Sequence, residues 1–223
     1  MENKKEKNLE NNRINQLTSI LISSILIVYF FYGFYVDENS AGAGGYNGDF
    51  KSIWQNLILL KEDIFQNIDN ILYHDSRPPL SYLLHILFNP FANDQFTFRI
   101  SVLLISLLVP ILLFFSIRQN FLYLDNHIVI LLSSIITLSP YFRTSAYWGL
   151  GENYGLIFLL ASFLLFNKFK KNYKIEKDKI NTLLIFLLCL CSSLTIYFDQ
   201  KLIFVPSLIF LLILNMKINV KFK

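Results

Sequence analysis

A long apolar run without a charged side chain, from Leu17 to Val36, limits the chain most strongly. A helix of about 20 apolar residues spans the hydrocarbon core of a bilayer, where a segment must satisfy its own backbone hydrogen bonds. A polar arm with basic residues, segment 1–16, precedes the run. A cleaved signal peptide would have a shorter apolar region and a small-residue cleavage site. The run therefore predicts a membrane helix that follows a cytoplasmic arm.

Further apolar blocks predict an all-α, polytopic membrane protein. Hydrophobic residues make up 54% of the 223 residues, and they occur in long blocks rather than at amphipathic spacing. The predicted transmembrane domain covers residues 17–215, and a basic cytoplasmic tail follows at 216–223. Within this domain about six spans are predicted, at residues 17–36, 100–117, 127–142, 154–169, 180–197 and 202–214.

The basic residues predict how these spans are oriented. When successive connections alternate between the two sides, 14 of the 20 lysines and arginines lie on the side of the N-terminal arm. Cytoplasmic connections carry this excess in membrane proteins. The net charge of +4 thus reflects how the chain is oriented in the membrane. Because the sequence has no basic face and no nucleic-acid motif, no nucleic-acid partner is predicted. We expect a multi-pass protein of the cell membrane whose other face is periplasmic or extracellular.

The first outer segment, residues 37–99, contains two shorter helical patterns. Apolar residues recur at helical spacing from Phe50 to Leu72, with charged and amide side chains between them. A second apolar run, Leu80 to Phe91, follows two prolines and is too short for an upright span. Both are predicted to be amphipathic helices that lie along the outer membrane interface.

Two adjacent carboxylates, Asp37 and Glu38, follow the first apolar run directly. A carboxylate deeper in the bilayer costs roughly 2.5 kcal/mol or more, so the pair is expected where the helix meets water. Neighbouring side chains on a helix end point about 100° apart, so only one of them is expected to face a pocket. Glycines behind them allow the backbone to approach a ligand. The stretch from Tyr35 to Asp49 either forms an active-site loop or only ends the helix.

An ordered set of motifs resembles the GT-C glycosyltransferases. The motifs are the acidic residues after the first span, the amphipathic helix, and then Arg77-Pro-Pro-Leu-Ser-Tyr-Leu-Leu84, Phe96-Thr-Phe-Arg-Ile100 and Leu138-Ser-Pro-Tyr-Phe142. The pattern is most similar to the protein mannosyltransferase and aminoarabinose transferase branch, in glycosyltransferase family 39, whose donors are polyprenyl-phosphate sugars. The resemblance covers about residues 17–206. Members of the family usually have many more spans, so the chain is expected to be an N-terminal portion or a split half.

The resemblance implies functions for polar residues at the outer face. Sugar transfer from a lipid phosphate requires a carboxylate that accepts or orients the acceptor hydroxyl, and a cation at the leaving phosphate. Asp37 is expected to be the base, with Glu38 beside it, and Glu152 matches the second carboxylate of the family. A surface arginine at the headgroups is the alternative interpretation of Arg77. The residues expected to bind donor or acceptor are Arg77, His74, Arg143, Tyr147, Trp148 and Lys201.

Three functions remain open from the sequence. A glycosyltransferase of this kind would need the bilayer, a polyprenyl-phosphate sugar donor and an acceptor that is a lipid, glycan or protein, with no resident cofactor or metal expected. The alternatives are a transporter or flippase-like protein and a scaffold without chemistry. Transporters place charged groups near the bilayer midplane, whereas here the acids follow one rim, which favours transfer chemistry. Because Asp37 is expected at the water interface, its neutralisation should leave the fold intact.

Overall fold

The chain is mainly helical in the residues that the computed structural model describes, which are 2–39, 45–67, 79–175 and 182–221. No β-strand occurs within these ranges, so the predicted all-α fold is confirmed for them. A π-helical turn (Tyr46–Phe50) and two 3₁₀ turns (Ile135–Leu138 and Gln200–Leu202) connect longer elements. The main α-helices are α1 (Glu2–Tyr35), α2 (Lys51–Glu62), α3 (Leu80–Phe88), α4 (Gln95–Ser106), α5 (Leu108–Asn120), α6 (Asn126–Ser134), α7 (Pro140–Tyr147), α8 (Glu152–Ile175), α9 (Thr182–Phe198) and α10 (Phe204–Lys221).

Two helices of the described chain are long and apolar enough to cross a membrane. One is Arg13–Tyr35 within α1, and the other is Gln95–Asn120, which α4 and α5 form together. Residues Asn126–Leu138 and Pro140–Tyr147 meet the same criteria as a pair, although a bend of 69° separates them. Thr182–Phe198 and Gln200–Asn215 are shorter apolar helices. The structure thus gives two spans, or three with the bent pair, and the predicted six are not confirmed.

The bend before α7 occurs at Ser139 and Pro140. A residue before proline avoids the helical region, and Ser139 is extended, with φ −64° and ψ 121°. Its hydroxyl accepts a hydrogen bond from the Phe142 N–H at 3.4 Å, and Pro140 occupies the first helical turn, where no N–H is needed. Residues 140–147 therefore form a helix in a new direction, whereas the predicted span ran straight from residue 127 to residue 142.

The two short helices of the outer segment are present, with different ends. α2 stops at Glu62 because Asp63 is extended, and residues 64–67 are helical again. Residues 68–72 of the predicted helix lie outside the described ranges. α3 ends at Phe88 rather than Phe91, because Asn89 precedes a proline and leaves the helical region. Each helix has a buried face, formed by Ile53, Leu57 and Leu60 in α2 and by Tyr82 and His85 in α3.

An aromatic core holds the end of α1 against α2, α4 and α7. Phe30 stacks on Phe142, with ring centroids 5.4 Å apart, and it also contacts the Tyr147 ring at 5.3 Å. Phe50 contacts Phe98 at 6.4 Å and Trp148 at 5.9 Å. Buried aromatic rings contribute large apolar areas and about 0.5–1.5 kcal/mol per pair beyond that burial. This core fixes the surroundings of the two carboxylates that follow α1.

A buried histidine connects α3, α4 and α8. The Asn89 amide nitrogen lies 3.0 Å from His85 Nδ1 and 2.7 Å from Ser101 Oγ, and His85 Nε2 lies 3.1 Å from the Tyr154 hydroxyl. Because an amide nitrogen only donates, Nδ1 accepts and the ring proton is assigned to Nε2. Burial lowers the pKa of His85 from 6.5 to about 4. The network therefore holds a neutral imidazole.

We expect this histidine to make the folded protein less stable in acid. The pKa of His85 is lower in the folded than in the unfolded chain, so its contribution is complete above about pH 6.5 and is lost as the pH falls to about 4. The loss should reach about 3 kcal/mol. Unfolding in detergent between these pH values should be compared with the non-titrating variant His85→Gln. Equal pH dependence of the two proteins would contradict the assignment.

The second candidate span predicts that its two ends lie on opposite sides of the membrane. Asn93 and Tyr123 flank the helix Gln95–Asn120, and both side chains are exposed. In a background with Cys189→Ser and Cys191→Ser, we expect a membrane-impermeant maleimide to label Asn93→Cys in intact cells. The Tyr123→Cys variant should be labelled only after permeabilisation. Labelling of both variants from the same side would rule out this crossing.

Candidate functional site

The end of α1 determines where the two carboxylates lie. The Asp37 N–H donates to the Phe34 carbonyl at 3.2 Å, and the Glu38 N–H donates to the Gly33 carbonyl at 2.9 Å. This pair of bonds is the Schellman arrangement, in which the residue after the cap is left-handed. Asp37 accordingly has a φ of 53°, the one positive value among the non-glycine residues described. Aspartate tolerates this conformation better than most residues, so the sequence suits the turn.

Asp37 forms an ion pair with Arg99 of α4. The distance from Arg99 Nη2 to Asp37 Oδ1 is 2.6 Å, and Arg99 Nε donates to the Tyr147 carbonyl at 2.7 Å. The guanidinium also lies over the Trp148 ring, 4.0 Å from its centroid. The Arg99 side chain is only 10% exposed, whereas that of Asp37 is 63% exposed. A buried arginine thus holds an outward-facing carboxylate.

Glu38 forms a second ion pair, with Arg143 of α7. Arg143 Nη2 donates to Glu38 Oε2, and Arg143 Nε donates to the Tyr147 hydroxyl at 3.0 Å. That hydroxyl donates in turn to the Phe30 carbonyl at 2.6 Å, and the Trp148 indole N–H donates to the Glu38 carbonyl at 3.0 Å. The side chains are 4% exposed for Arg143 and 27% for Glu38. The second pair is therefore more deeply buried than the first.

These pairs correct one expectation about the carboxylates. Both acids have an arginine partner, each on a different helix, and Asp37 is the more exposed of the two acids. The expectation that no buried ion pair involves Asp37 is wrong, because Arg99 is buried and needs a compensating charge. Removing one member of a fully buried pair costs about 3–5 kcal/mol. Neutralising Asp37 should cost less than this, since solvent screens its exposed carboxylate.

The other residues predicted to form the site do not all lie at the two ion pairs. The Tyr147 ring is fully buried and Trp148 is 3% exposed, so neither offers the open platform that was expected for a sugar. Glu152 Oε2 accepts a hydrogen bond from Ser145 Oγ at 3.4 Å. Lys201 lies 5.4 Å from the Tyr141 ring centroid, in a separate cluster where the Tyr141 hydroxyl donates to Asp199. His74 and Arg77 lie outside the residues that the structure describes.

Two residues of the site were not identified from the sequence as functional. Arg99 lies in the Phe96–Ile100 motif, but the motif alone indicates no function for it. A single arginine within the first turns of an apolar helix is costly unless it is paired, and this signal could have identified it. Gly33 is the second residue: a Cβ there would lie 2.6 Å from both Glu38 Oε2 and the Tyr147 hydroxyl. Only a glycine leaves room for the Glu38–Arg143 pair beside α1.

We expect Gly33→Ala to disrupt the second ion pair. The added methyl group would overlap Glu38 and Tyr147, and such overpacking typically costs about 1–3 kcal/mol. Gly151→Ala is the control, because the nearest atom to its added Cβ is the Phe198 carbonyl oxygen at 3.9 Å. Thermal unfolding in detergent should show a lower midpoint for Gly33→Ala alone. Equal destabilisation by the two variants would show that the close approach at Gly33 has no special cost.

Comparisons with known proteins leave the family of the chain open. No protein-family model matches the sequence, and neither curated proteins nor solved structures gave a match. The likeness to GT-C glycosyltransferases therefore depends on the sequence motifs alone. What the geometry adds is a pair of carboxylate–arginine contacts at the end of a candidate membrane span.

Proposed function

We propose that the chain is an integral-membrane glycosyltransferase of the GT-C type, acting at the outer membrane face. It would transfer a sugar from a polyprenyl-phosphate donor to a lipid, glycan or protein acceptor. The observation that carries this proposal is the exposed Asp37 carboxylate, which the buried Arg99 holds at the end of a candidate span. The motifs that resemble this family support the same function.

Asp37 has the geometry that a catalytic base requires. A base must be within hydrogen-bond reach of the acceptor hydroxyl, so it has to be both accessible and fixed. The carboxylate is accessible, with 63% of the side chain exposed. It is fixed by the left-handed turn of the backbone and by the contact of Oδ1 with Arg99. Asp37 is therefore the proposed base, and Arg99 is its positioning residue.

The second pair supports the site without taking part in the reaction. The Arg143 side chain is 4% exposed and bonded to Glu38 and Tyr147, so it is not available to a donor phosphate. We assign Arg143 and Glu38 to positioning the end of α1. The phosphate ligands are then proposed to be Arg77 and His74, on the basis of the family resemblance. The planar guanidinium of Arg77 suits phosphate oxygens, and a ring N–H of His74 can donate a hydrogen bond to them.

The location of Asp37 suits a donor that is itself a lipid. The phosphate of a polyprenyl-phosphate sugar lies at the level of the lipid headgroups, while its chain stays in the hydrocarbon. Asp37 lies two residues beyond the candidate span Arg13–Tyr35, and Arg99 lies near the start of the candidate span Gln95–Asn120. A carboxylate that faces water at this level avoids the cost of a charge in the bilayer core.

We expect Asp37→Asn to lower the rate of sugar transfer by about 100-fold to 10,000-fold, the usual effect of losing a general base. Asparagine keeps the left-handed backbone accessible, so the backbone turn should persist. Transfer should be measured in membranes at matched expression, with radiolabelled polyprenyl-phosphate mannose and aminoarabinose as donors. Asp94→Asn is the matched control, because Asp94 caps α4 from an exposed position and asparagine caps equally well.

A second variant separates chemistry from stability. Asp37→Asn leaves the buried Arg99 charge without its acid, and the double variant Asp37→Asn with Arg99→Gln removes both charges. If the double variant regains the unfolding midpoint of the parent but remains inactive, the missing group is the base. Recovery of transfer together with stability would show that the pair is only structural. A parent chain that transfers neither sugar would overturn the proposal for these donors.

A further inference from the structure

A pocket of mixed character lies between the start of α2 and the start of α4. Its volume is about 280 Å³. Three aromatic and three polar residues line it, namely Tyr46, Phe50, Lys51, Trp54, Gln55 and Gln95. A groove between α1, α5 and α6 is, by contrast, lined mainly by apolar side chains. The pocket at α2 and α4 therefore suits a ligand that has both an apolar face and polar edges.

One wall of the pocket is a row of aromatic rings. Tyr46, Phe50 and Trp54 follow one another at intervals of four residues, which places them on one face of the π-turn and α2. The ring centroids of Tyr46 and Phe50 are 6.0 Å apart and those of Phe50 and Trp54 are 6.4 Å apart, each at an angle of 29°. Phe50 is buried, whereas Tyr46 is 40% exposed and Trp54 is half-buried. The two outer rings can therefore contact a ligand, and the buried ring between them supports both.

The other wall carries amide groups that have no partner within the described ranges. Gln55 and Gln95 are both exposed, and neither side chain forms a hydrogen bond to another described residue. An amide both donates and accepts hydrogen bonds, as a sugar hydroxyl does. Lys51 adds an exposed ammonium, 5.3 Å from the centroid of the Tyr46 ring. With two neutral amides and one cation in its lining, the pocket fits an uncharged, hydroxyl-rich ligand better than an anion.

The pocket lies beside the proposed catalytic carboxylate. The Tyr46 and Trp148 ring centroids are 5.3 Å apart, and Trp148 is the ring that the Arg99 guanidinium lies over. Gln95 precedes Arg99 by four residues, so it lies on the same face of α4, about 6 Å nearer the start of the candidate span. Arg99 in turn binds Asp37. In the proposed orientation the pocket is therefore on the water side of this ion pair, where an acceptor would approach from outside the bilayer.

We propose that this pocket binds one pyranose ring of an uncharged glycan, and that this glycan is the acceptor of the proposed transfer. The C–H face of the ring would lie on Tyr46 and Trp54, because aromatic faces are electron-rich. The ring hydroxyls would form hydrogen bonds with Gln55 and Gln95. The role as acceptor rests on the proposed function, and it narrows the acceptor from a lipid, glycan or protein to a glycan. The binding of the ring does not depend on that function.

Binding of single sugar rings tests the proposal. Methyl glycosides of mannose, glucose and galactose would be titrated against the chain in lipid nanodiscs free of sugar detergents, with saturation-transfer NMR as the measurement. We expect at least one to bind with a Kd on the order of 1 mM, as ordinary ligand efficiency gives for about a dozen non-hydrogen atoms. Gln55→Ala and Gln95→Ala should each weaken binding about fivefold, the effect of one lost hydrogen bond. Tyr46→Leu should weaken it by a similar factor, whereas Tyr46→Phe keeps the ring and should bind like the parent.

Gln119→Ala is the matched control for the glutamine variants. Gln119 is exposed and lies at the other end of the same candidate span, so this variant should bind the glycosides like the parent. The proposal is overturned if the parent binds none of the glycosides, or if Gln55→Ala and Gln95→Ala bind them as well as the parent does. Equal weakening by Gln119→Ala would also overturn it.

Mannose 1-phosphate distinguishes an acceptor ring from the sugar of the donor. It has the headgroup of a polyprenyl-phosphate mannose, and we expect it to bind no more tightly than methyl mannoside. Tighter binding would assign the pocket to the donor and overturn the role as acceptor site. Sugar transfer is not measured in these titrations. A failure to bind therefore leaves the proposal for Asp37 intact, and a chain without transferase activity would still bind the glycosides if the pocket is correctly assigned.

Discussion

The structure around the outer end of α1 depends on two buried arginines, each of which requires an acid. Apolar packing between helices in a bilayer is weakly directional, because lipid chains are as apolar as the side chains they replace. An ion pair with a buried member is more restrictive, since a misaligned helix would leave an arginine uncompensated. Arg99 and Arg143 come from α4 and α7, and both reach the last turn of α1 and the residues after it. They fix the rotation and the height of α1 together.

The two pairs are asymmetric in a way that connects stability with function. The arginines lie inside and the acids face outward, most of all at Asp37. Under the proposed function, the carboxylate that the reaction needs is therefore also a group on which the fold depends. Sites of this kind often exchange stability for activity, because the accessible member of a pair cannot be optimised for both. In this chain Glu38 and Arg143 form the more deeply buried pair, so the proposed function leaves Asp37 freer to face a substrate.

The sequence predicted the class of structure and several helix ends, but not the contacts that form the site. The charge-free run to Val36 predicted the end of α1, which the structure places at Tyr35, because hydrophobicity and length act locally. Prolines predicted the start of α3 for the same reason. The start of α7 at Pro140 was not predicted, because it falls inside the predicted span 127–142. Asp37–Arg99 and Glu38–Arg143 join residues 62 and 105 positions apart, and no local pattern indicates such partners. Tyr147 and Trp148 were misjudged because an aromatic pair beside glycines has the same sequence pattern whether it is open or buried.

The left-handed backbone of Asp37 has a consequence for which amino acids the position can accept. Glycine and asparagine suit a φ of 53°, but they carry no charge to balance Arg99. Glutamate carries the charge, but it lacks the short polar side chain that eases this conformation, and the left-handed region costs most residues about 1 kcal/mol or more. Among the standard amino acids only aspartate meets both conditions. In related chains, we therefore expect aspartate at this position to appear and disappear together with the arginine of α4.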